Sequence, residues 1–396
     1  MGRARGRKAR NEREAGATSP DRGAQRSAPK TASRGPSNAD GGEKTGLQHN
    51  ERLFEAEVLD GLAPICSEEL VRLLGRQVRV FPSSNPSSVS FEYSGDPAKL
   101  LGLRTAVAVF RLLYFKVPHP LTIVQGANLP RLKAAIAAAR ARERFKTFRI
   151  SAAGSESKVF QKIKNAIASA SGLANDEQEG QMSIRFRRAR LRPFGWDVLV
   201  RLTPLPLSAR AWRVENMPGA LNATIAAAMV LQMDPRPTDQ FLNLMCGSGT
   251  LIAERAAICP AKRLVGVDNS REAIAKARKN LARVASVMLL EQDAGKLSLQ
   301  DGSMNALCAD LPWGRLIGDR NKLQGCYEEA LREMSRVCSA GGMLSVITQE
   351  SALFEKALER HREYWTLDRS LRVKQADYKP KLYVLKRRSK AYSAEA

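Results

Sequence analysis

The sequence predicts an α/β protein whose C-terminal half is a largely parallel sheet covered by helices on both faces. Three observations support this fold class. From Asn216 onward, short apolar runs alternate with helical segments, as in proteins with buried parallel strands. One of these runs, Phe241–Leu244, leads directly into the glycine-rich turn Gly247–Gly249. Upstream, residues 51–205 form two smaller groups of strands and helices, and residues 1–50 contain almost no large apolar side chain.

The first 50 residues are predicted to be a disordered basic tail. They contain 11 Lys or Arg residues against 5 Asp or Glu, and Met1 and Leu47 are their only large apolar side chains. Such a segment cannot bury enough surface to offset its chain entropy. The tail is either a passive extension or a loose arm that adds nonspecific affinity for RNA. A transit peptide is a weaker alternative because no leucine-bearing amphipathic face is present.

Composition limits the class of protein. The chain has 396 residues with 64 Lys or Arg and 40 Asp or Glu, so its net charge is +24. This excess favours a polyanionic partner, and the alternative is a generally basic protein. Because there is no apolar run of 18 residues and no apolar segment after the basic N-terminus, we expect a cytoplasmic protein without a membrane span. Six cysteines without a CxxC pair, and only three histidines, predict no metal site.

The order strand, helix, strand, strand predicts a small α+β domain over residues 51–117. Its predicted elements are strands at Leu53–Leu59, Val78–Phe81 and Val89–Tyr93, a helix at Ser67–Leu74, and a helix or helix–strand unit at Pro97–Tyr114. A second unit, residues 118–205, has predicted helices at Leu129–Phe145 and Lys158–Ser171 and strands at Phe148–Ile150, Met182–Arg190 and Trp196–Leu202.

Two basic segments lie in this second unit. Residues 131–150 carry seven Lys or Arg and one acid, and residues 181–201 carry six Arg and one acid. The arginines of the Met182–Arg190 strand do not alternate cleanly, so both of its faces are expected to be positive. That charge is costly unless it meets phosphate. We therefore predict RNA contacts by Arg185, Arg187, Arg188, Arg190 and Arg192, and the alternative is a merely solvated strand.

The C-terminal domain, residues 206–396, is predicted from its repeated helix–strand pattern. The predicted helices are Leu221–Met233, Leu251–Cys259, Arg271–Val284 and Tyr327–Val337. The predicted strands are Phe241–Leu244, Arg263–Val267, Met304–Ala309, Met343–Thr348, Tyr364–Leu371 and Leu382–Leu385.

A nucleoside cofactor is predicted at the first turn of this domain. Gly247 and Gly249 allow backbone N–H groups to approach a ligand without a Cβ in the way. Asp268 ends the next predicted strand, 21 residues after Gly247, where a carboxylate reaches the ribose hydroxyls of such a cofactor. Both NAD and S-adenosyl-L-methionine (SAM) use this arrangement, so the turn alone leaves both open.

The segment Asp310–Gly314, which reads Asp-Leu-Pro-Trp-Gly, favours SAM. Asp or Asn, then Leu or Pro, then Pro and an aromatic residue, is typical of class I methyltransferases that act on exocyclic amino groups of bases. Five segments together resemble the THUMP-domain RNA guanine-N2 methyltransferases: Pro218–Ala226, Asn243–Glu254, Gly266–Asp268, Gln292-Asp293 and Ala309–Gly314. The resemblance covers nearly all of residues 53–390 and is more specific in the catalytic half.

This resemblance implies the fold, the activity and the site residues. It implies a ferredoxin-like domain at 51–117, a THUMP RNA-binding domain at 118–205 and a Rossmann-like methyltransferase domain at 206–396, which methylates the N2 amine of a guanosine in tRNA with SAM. The implied cofactor-binding residues are Asn243, Met245, Cys246, Gly247, Ser248, Gly249, Thr250, Asp268, Asn269, Asp293, Ala294 and Asp310. The implied catalytic residues are Asp310, Leu311, Pro312 and Trp313, and Arg315 joins the RNA-binding arginines. Two positions depart from the family, since Asn243 stands where an acid is common and Asn222-Ala223 replaces a frequent His-Pro pair.

The implied chemistry also follows from the reactants. The N2 amine of guanine is a poor nucleophile, so Asp310 and the carbonyl of Leu311 or Pro312 are expected to orient it, while Trp313 stacks on the flipped base. The alternative roles are a helix cap for Asp310 and a core aromatic for Trp313. Cys308 is predicted to be buried, and a Trp in this loop argues against carbon-5 methylation of pyrimidines. Large-subunit ribosomal RNA as substrate, and a noncatalytic RNA-binding protein with a decayed methyltransferase fold, remain the alternatives.

Overall fold

The computed structural model describes residues 52–82, 85–314 and 320–389, so the predicted basic tail and Arg315 lie outside the described residues. The strands are β1 (Leu53–Val58), β2 (Val78–Val80), β3 (Ser88–Tyr93), β4 (Ala106–Phe115), β5 (Thr147–Ser151), β6 (Ala174–Asn175), β7 (Met182–Arg188), β8 (Trp196–Arg201), β9 (Gln240–Leu244), β10 (Arg263–Asp268), β11 (Val287–Glu291), β12 (Met304–Asp310), β13 (Cys338–Thr348), β14 (Trp365–Arg372) and β15 (Lys381–Arg387). The α-helices are α1 (Ala63–Leu74), α2 (Asn128–Arg140), α3 (Lys158–Ser171), α4 (Ala223–Leu231), α5 (Thr250–Ile258), α6 (Arg271–Asn280), α7 (Arg320–Val337) and α8 (Ser351–Arg360).

The C-terminal sheet has seven strands in the order β11-β10-β9-β12-β13-β15-β14. Strands β11, β10, β9, β12 and β13 pair in parallel, and β15 is antiparallel to both of its neighbours. Apolar side chains of α4 and α5 pack on one face, and those of α7 and α8 pack on the other. This arrangement confirms the predicted parallel sheet covered on both sides.

The N-terminal sheet has eight strands in the order β2-β3-β1-β4-β8-β7-β5-β6. It contains strands from both predicted N-terminal units, which join where β4 pairs antiparallel with β8. Helix α1 shares a hydrophobic core with α4, through Leu70 on the first and Ile225 and Met229 on the second. The N-terminal sheet and the C-terminal domain are therefore packed together, while the exact domain boundaries stay a prediction.

Several element bounds differ from the predictions. Helix α3 matches, but α1 begins at Ala63 because Pro64 fits the first helical turn, where its missing N–H has no intrahelical partner. The unit at Pro97–Tyr114 is a short 3₁₀ helix, Pro97–Gly102, followed by β4. Strand β11 and helix α8 were not predicted, and β11 is a half-exposed edge strand whose five residues do not alternate in polarity.

A fully buried carboxylate joins the N-terminal sheet to the C-terminal domain. Glu254, in α5, accepts hydrogen bonds from Nε and Nη2 of Arg104, at 2.6 and 3.0 Å, just before β4. It also accepts from Nε of Arg210 at 2.9 Å and from the indole N–H of Trp212 at 3.2 Å. Both residues lie in the connecting segment, residues 202–222, between β8 and α4. Since an unpaired buried carboxylate is costly, these three donors fix the helix after the glycine turn to the rest of the chain.

The turn between β14 and β15, residues 373–380, also contacts distant segments. The N–H of Lys374 donates to the carbonyl of Asp60, at 2.9 Å. The Oε1 of Gln375 accepts from the N–H of Asn222, at 3.2 Å. The side chain of Asn222 caps α4 by accepting from the N–H of Thr224, at 2.9 Å, which gives this departure from the family a structural role.

Candidate active site

The predicted site residues lie at the carboxyl ends of three neighbouring strands, on one edge of the C-terminal sheet. Leu244 of β9 is level with Val267 of β10 and with Ala309 of β12. The residues that follow on the two outer strands are Asp268 and Asp310, so the two carboxylates flank the glycine-rich turn. With neighbouring strands about 4.8 Å apart, their backbones are roughly 10 Å from each other. The strand order reverses between β9 and β12, which is where α/β sheets bind ligands.

The glycine-rich turn has the conformation expected of a ligand cradle. Gly247 and Gly249 have φ angles of 52° and 85°, in the left-handed region. A Cβ on Gly249 would lie 2.9 Å from Cδ1 of Leu281, so this glycine permits close packing against the segment after α6. A Cβ on Gly247 would meet nothing nearer than Sδ of Met217, at 3.8 Å, so space is open beside it. Helix α5 begins directly afterward at Thr250, with its first N–H groups at the turn.

Asp268 supports this turn directly. Its Oδ2 accepts from the N–H of Gly247 at 2.8 Å, and its Oδ1 accepts from the N–H of Ser270 at 3.0 Å. Each carboxylate oxygen keeps a further acceptor position, so the predicted contact with ribose hydroxyls is compatible with these bonds. Sequence reasoning missed the supporting role, because spacing alone does not show which donors a carboxylate meets.

The segment between β8 and α4 lies against the glycine-rich turn, and the buried side chain of Asn280 makes four of the hydrogen bonds that hold it there. The Nδ2 of Asn280 donates to the carbonyls of Ser248 and Glu215, at 3.0 and 3.1 Å. Its Oδ1 accepts from the N–H groups of Val214 and Glu215, at 2.9 and 2.8 Å. All four hydrogen-bonding positions of the amide are used, so Asn280 fixes the segment to the turn. Its partners are 32 to 66 residues away, so no local sequence signal could have identified it.

Asp310 lies at the end of β12 in dense surroundings. Burial removes water from its carboxyl group and raises the pKa of that group to about 7, and the hydrogen bond from Trp313 acts in the opposite direction. In that bond the indole N–H of Trp313 donates to Oδ1 of Asp310, at 3.2 Å. The contact fixes the aromatic ring relative to the carboxylate. A perturbed carboxyl group at the ligand-binding edge of a sheet marks a functional-site candidate.

Tyr327, on α7, supports the loop after Asp310 and was not predicted. Its hydroxyl donates to the carbonyl of Pro312, at 2.6 Å, and lies 2.7 Å from Oγ1 of Thr348. The N–H of Leu311 donates to the carbonyl of Ile347, at 3.0 Å. Leu311 is fully buried, whereas Pro312 is partly exposed and its carbonyl keeps a second acceptor position beside the bond from Tyr327, so Pro312 is the better placed of the two acceptors proposed for a substrate amine.

The remaining residues predicted to bind the cofactor lie at or beneath the same edge. Asn243 is fully buried, donates to the carbonyl of Cys308 at 3.3 Å, and has an Oδ1 with no partner among the described residues. Asn243 therefore lies under the turn rather than at its surface. Cys308 is buried as predicted, and burial raises the pKa of the Cys246 thiol, helped by the charge of Asp268. Of the other residues, Met245 has a φ of 53°, and Asn269 is exposed after β10.

Asp293 and Ala294 lie in the loop after β11, beside the end of β10. The Oδ1 of Asp293 accepts from the N–H of Gly295, at 2.7 Å, which stabilises this loop. The N–H of Gln292 donates to the carbonyl of Asp268, at 3.0 Å, and so joins the loop to the strand that ends in that acid.

Comparison with known proteins identifies this half of the chain. Residues 210–375 match the RMKL-like methyltransferase domain family. This part of the chain is similar to a methyltransferase domain. The human (Homo sapiens) tRNA (guanine(6)-N(2))-methyltransferase THUMP3 is 29% identical over 190 residues, which cover 44% of this chain and 38% of that protein. The chain thus matches about two fifths of the length of that relative.

Two solved structures extend the similarity beyond the methyltransferase domain. TrmN from Thermus thermophilus has a TM-score of 0.68 and 23% identity, and the match covers 85% of this chain and 99% of that one. SMU.472, a putative methyltransferase complexed with SAH, has a TM-score of 0.59 and 17% identity, with 84% of this chain and 97% of that chain covered. At these identities the likeness concerns the fold, and it confirms the predicted class I methyltransferase architecture. With the relative above, it also confirms the resemblance to the guanine-N2 methyltransferases.

The arginines predicted to contact RNA fall into two groups. The guanidinium of Arg187 makes two bonds to Glu55, at 2.8 and 2.6 Å, and that of Arg185 makes two to Glu57, both at 3.0 Å. These pairs lie across β8 and β4, where Arg185 also covers the ring of Phe110. The neighbouring residues on the opposite face of β7 are buried apolar side chains. The second face of this strand carries positive charge at its last residue, Arg188, which is exposed, while Arg185 and Arg187 on the first face are paired with acids.

The second group lies at the last residue of β7 and in the exposed loop that follows it. Arg188, Arg190 and Arg192 are exposed. Arg188 lies over the ring of Trp196 and Arg192 over that of Tyr114, with 4.5 and 4.2 Å from the guanidinium carbon to the ring centroid. The same loop exposes Leu191 and Phe194. Of the five predicted arginines that the structure describes, these three have the accessibility that a phosphate contact requires.

Within the three described ranges, no helix of the N-terminal part or of the methyltransferase domain is long and apolar enough to cross a membrane. Over the same ranges, no group of His, Cys, Asp and Glu side chains is arranged to hold a metal ion.

Proposed function

We propose that the protein methylates the exocyclic N2 amine of a guanosine in tRNA, with SAM as the methyl donor. The observation that carries this proposal is that the carboxyl ends of β9, β10 and β12 are in register with each other. This register brings the Gly247–Gly249 turn, Asp268 and the Asp310–Trp313 loop to one edge of a methyltransferase domain. The substrate is supported by the human relative, which is named for tRNA guanine-N2 methylation.

The residues at this edge fit SAM. The open space beside Gly247 leaves room for a ligand against the turn, and the unpartnered N–H groups at the start of α5 suit its carboxylate. Asp268 would accept hydrogen bonds from the ribose hydroxyls, and the neighbouring loop with Asp293 and Ala294 would border the same ligand. When bound, SAM would supply an electrophilic methyl group. The SAH complex of the related fold supports this choice over NAD.

The role of Asp310 follows from the chemistry of the base. Guanine presents N1–H and N2–H donors on one edge, so an ionised Asp310 would accept from both and orient the amine. Adenine presents a lone pair at N1, which would face the carboxylate unfavourably. The carbonyl of Pro312, on a partly exposed residue, would provide a second acceptor for the amine. Trp313, fixed by its bond to Asp310, would offer a stacking face for the flipped base.

The test uses Asp310→Asn, with Asp301→Asn as a control in the turn before the same strand, where the carboxylate is exposed and pairs with Arg336 at 2.6 Å. Each protein is incubated with labelled SAM and bulk tRNA, and the digested nucleosides are resolved. We expect label in N2-methylguanosine, a loss of about a hundredfold or more in kcat for Asp310→Asn, an unchanged affinity for SAM, and normal activity in the control. Label in N6-methyladenosine, or full activity of Asp310→Asn, would contradict the proposal. In a parallel incubation with large-subunit ribosomal RNA in place of tRNA, label in the ribosomal RNA and none in tRNA would favour the ribosomal alternative.

We further propose that the N-terminal sheet holds the RNA, with Arg188, Arg190 and Arg192 contacting phosphates. Each phosphate contact contributes about 0.7–0.9 to the slope of log K against log salt. The triple Ala variant should therefore bind tRNA with a slope shallower by about 2 and keep its affinity for SAM. An unchanged slope would make this loop an ordinary solvated surface. A cytoplasmic location fits this substrate and the six cysteines, all of which are free thiols in the structure.

A further inference from the structure

The turn between β14 and β15 lies beside the candidate catalytic loop. The ring centroid of Tyr378 is 5.3 Å from that of Trp313, and the two planes are inclined at 61°. Trp313 in turn donates its indole N–H to Asp310. A continuous line of contacts therefore runs from Tyr378 through Trp313 to the carboxylate. Nothing in the sequence pattern assigned this turn to the site.

The turn is held in one conformation. The backbones of Gln375 and Tyr378 exchange two hydrogen bonds, both of 3.0 Å, and Ala376 between them has a φ of 51°. The N–H of Lys379 donates to Oε1 of Gln349, at 3.0 Å, in the segment that follows β13. Because β13 is paired with β12, this bond fixes the turn to the sheet edge that also carries Asp310.

Two lysines flank the aromatic contact. Lys374 and Lys379 are exposed, and within the described residues neither side chain forms an ion pair. Asp377, at the tip of the turn, is the one acid between them. Exposed ammonium groups without a carboxylate partner suit contacts to phosphate, and their position suits the mouth of a pocket entered by a single base.

We infer that residues 373–380 belong to the RNA-binding site, an inference that rests on the proposed function. Lys374 and Lys379 contact the phosphates next to the flipped guanosine, and Tyr378 is a positioning residue that holds the ring of Trp313. A base that leaves its stack carries the adjoining phosphates to the pocket mouth. Contacts made there stabilise the flipped state more than the initial encounter, so they affect kcat/KM more than overall tRNA affinity.

The first experiment compares Lys374→Ala/Lys379→Ala with Lys262→Ala/Arg283→Ala. The control removes the same charge from exposed residues at the opposite edge of the parallel sheet, before β10 and after α6. For the turn variant we expect a loss of about tenfold in kcat/KM for tRNA. The slope of log kcat/KM against log salt should be shallower by about 1.5, from two phosphate contacts. The Kd for SAM should not change. A turn variant that matches the control, in rate and in slope, would overturn the phosphate role.

The second experiment separates Tyr378→Phe from Tyr378→Ala. The Phe variant keeps the ring against Trp313 and should keep kcat within about twofold, whereas the Ala variant should lose at least tenfold in kcat at saturating SAM and tRNA. Equal activity of all three proteins would overturn the positioning role. Wild-type protein that makes no N2-methylguanosine would instead contradict the proposed function, so the two failures are distinguishable.

Discussion

Replacing Asp310 by Asn should stabilise the folded protein at alkaline pH. Dense surroundings raise the pKa of this carboxyl group from 3.8 to about 7 in the folded state. A carboxyl group whose pKa is raised by folding contributes stability that is complete below pH 3.8 and is lost as the pH rises through 7. One pKa unit corresponds to about 1.4 kcal/mol, so the ionised carboxylate costs the folded state roughly 4 kcal/mol at pH 8. At pH 5 the loss of folded-state stability is about 2 kcal/mol.

The substitution removes the charge and leaves the local contact. Asn has a side-chain oxygen that can still accept from the indole N–H of Trp313, as Asp310 does at 3.2 Å. The free energy of unfolding is measured by urea denaturation of both proteins at pH 5 and pH 8. We expect the advantage of the variant to grow by about 2–3 kcal/mol between the two pH values, whatever constant difference the amide introduces.

A pH-independent difference between the two proteins would refute this reasoning, because it would mean that the carboxyl group titrates near its ordinary value. The exposed Asp301→Asn variant is the control and should show no such growth. The same titration predicts that kcat/KM of the wild type falls about tenfold for each pH unit below 7, since the protonated acid cannot accept from both guanine donors.

Three further outcomes are expected. Asp268→Asn should weaken SAM binding by roughly ten- to a hundredfold in calorimetry, because it removes a charged acceptor worth about 1.5–3 kcal/mol, and unchanged affinity would remove this residue from the site. Arg187→Ala should destabilise the protein by roughly 2–3 kcal/mol in urea by leaving the buried Glu55 unpaired, whereas the exposed Arg188→Ala should change stability by less than about 0.5 kcal/mol; equal effects would contradict the ion-pair assignment. Asn280→Asp turns two donors into acceptors that face carbonyls, so SAM affinity should fall about tenfold, and a variant with normal affinity would show that the segment over the turn is not needed.

The catalytic half could be predicted from sequence because its candidate site residues lie in short contiguous segments. The Gly247–Gly249 turn, Asp268 and the Asp310–Gly314 loop each follow an apolar strand, and parallel pairing brings strand ends to one edge without further information. The strand bounds around them were within one or two residues of those observed, apart from β13, which begins five residues before its predicted start.

What could not be predicted depends on partners far along the chain. Arg187 meets Glu55 across 132 positions, so a segment that reads as a phosphate-binding strand is partly neutralised by acids of β1. Tyr378 reaches Trp313 only because β14 and β15 fold back onto β13. In both cases the residue types were visible, but which residues they meet is set by the order of strands in the sheets.

The three residues that donate to Glu254 make the two halves of the chain depend on each other when domains recombine. The carboxylate sits one turn beyond the glycine-rich turn, and its partners come from the edge of β4 and from the connecting segment. Recombination that joined this methyltransferase domain to a foreign RNA-binding half would bring the carboxylate, Arg210 and Trp212 but not Arg104, and would leave the buried charge with one cation instead of two. Exchange of domains between relatives should therefore keep Arg104 and Glu254 together or replace both. This contact restricts which domain fusions evolution or design can use.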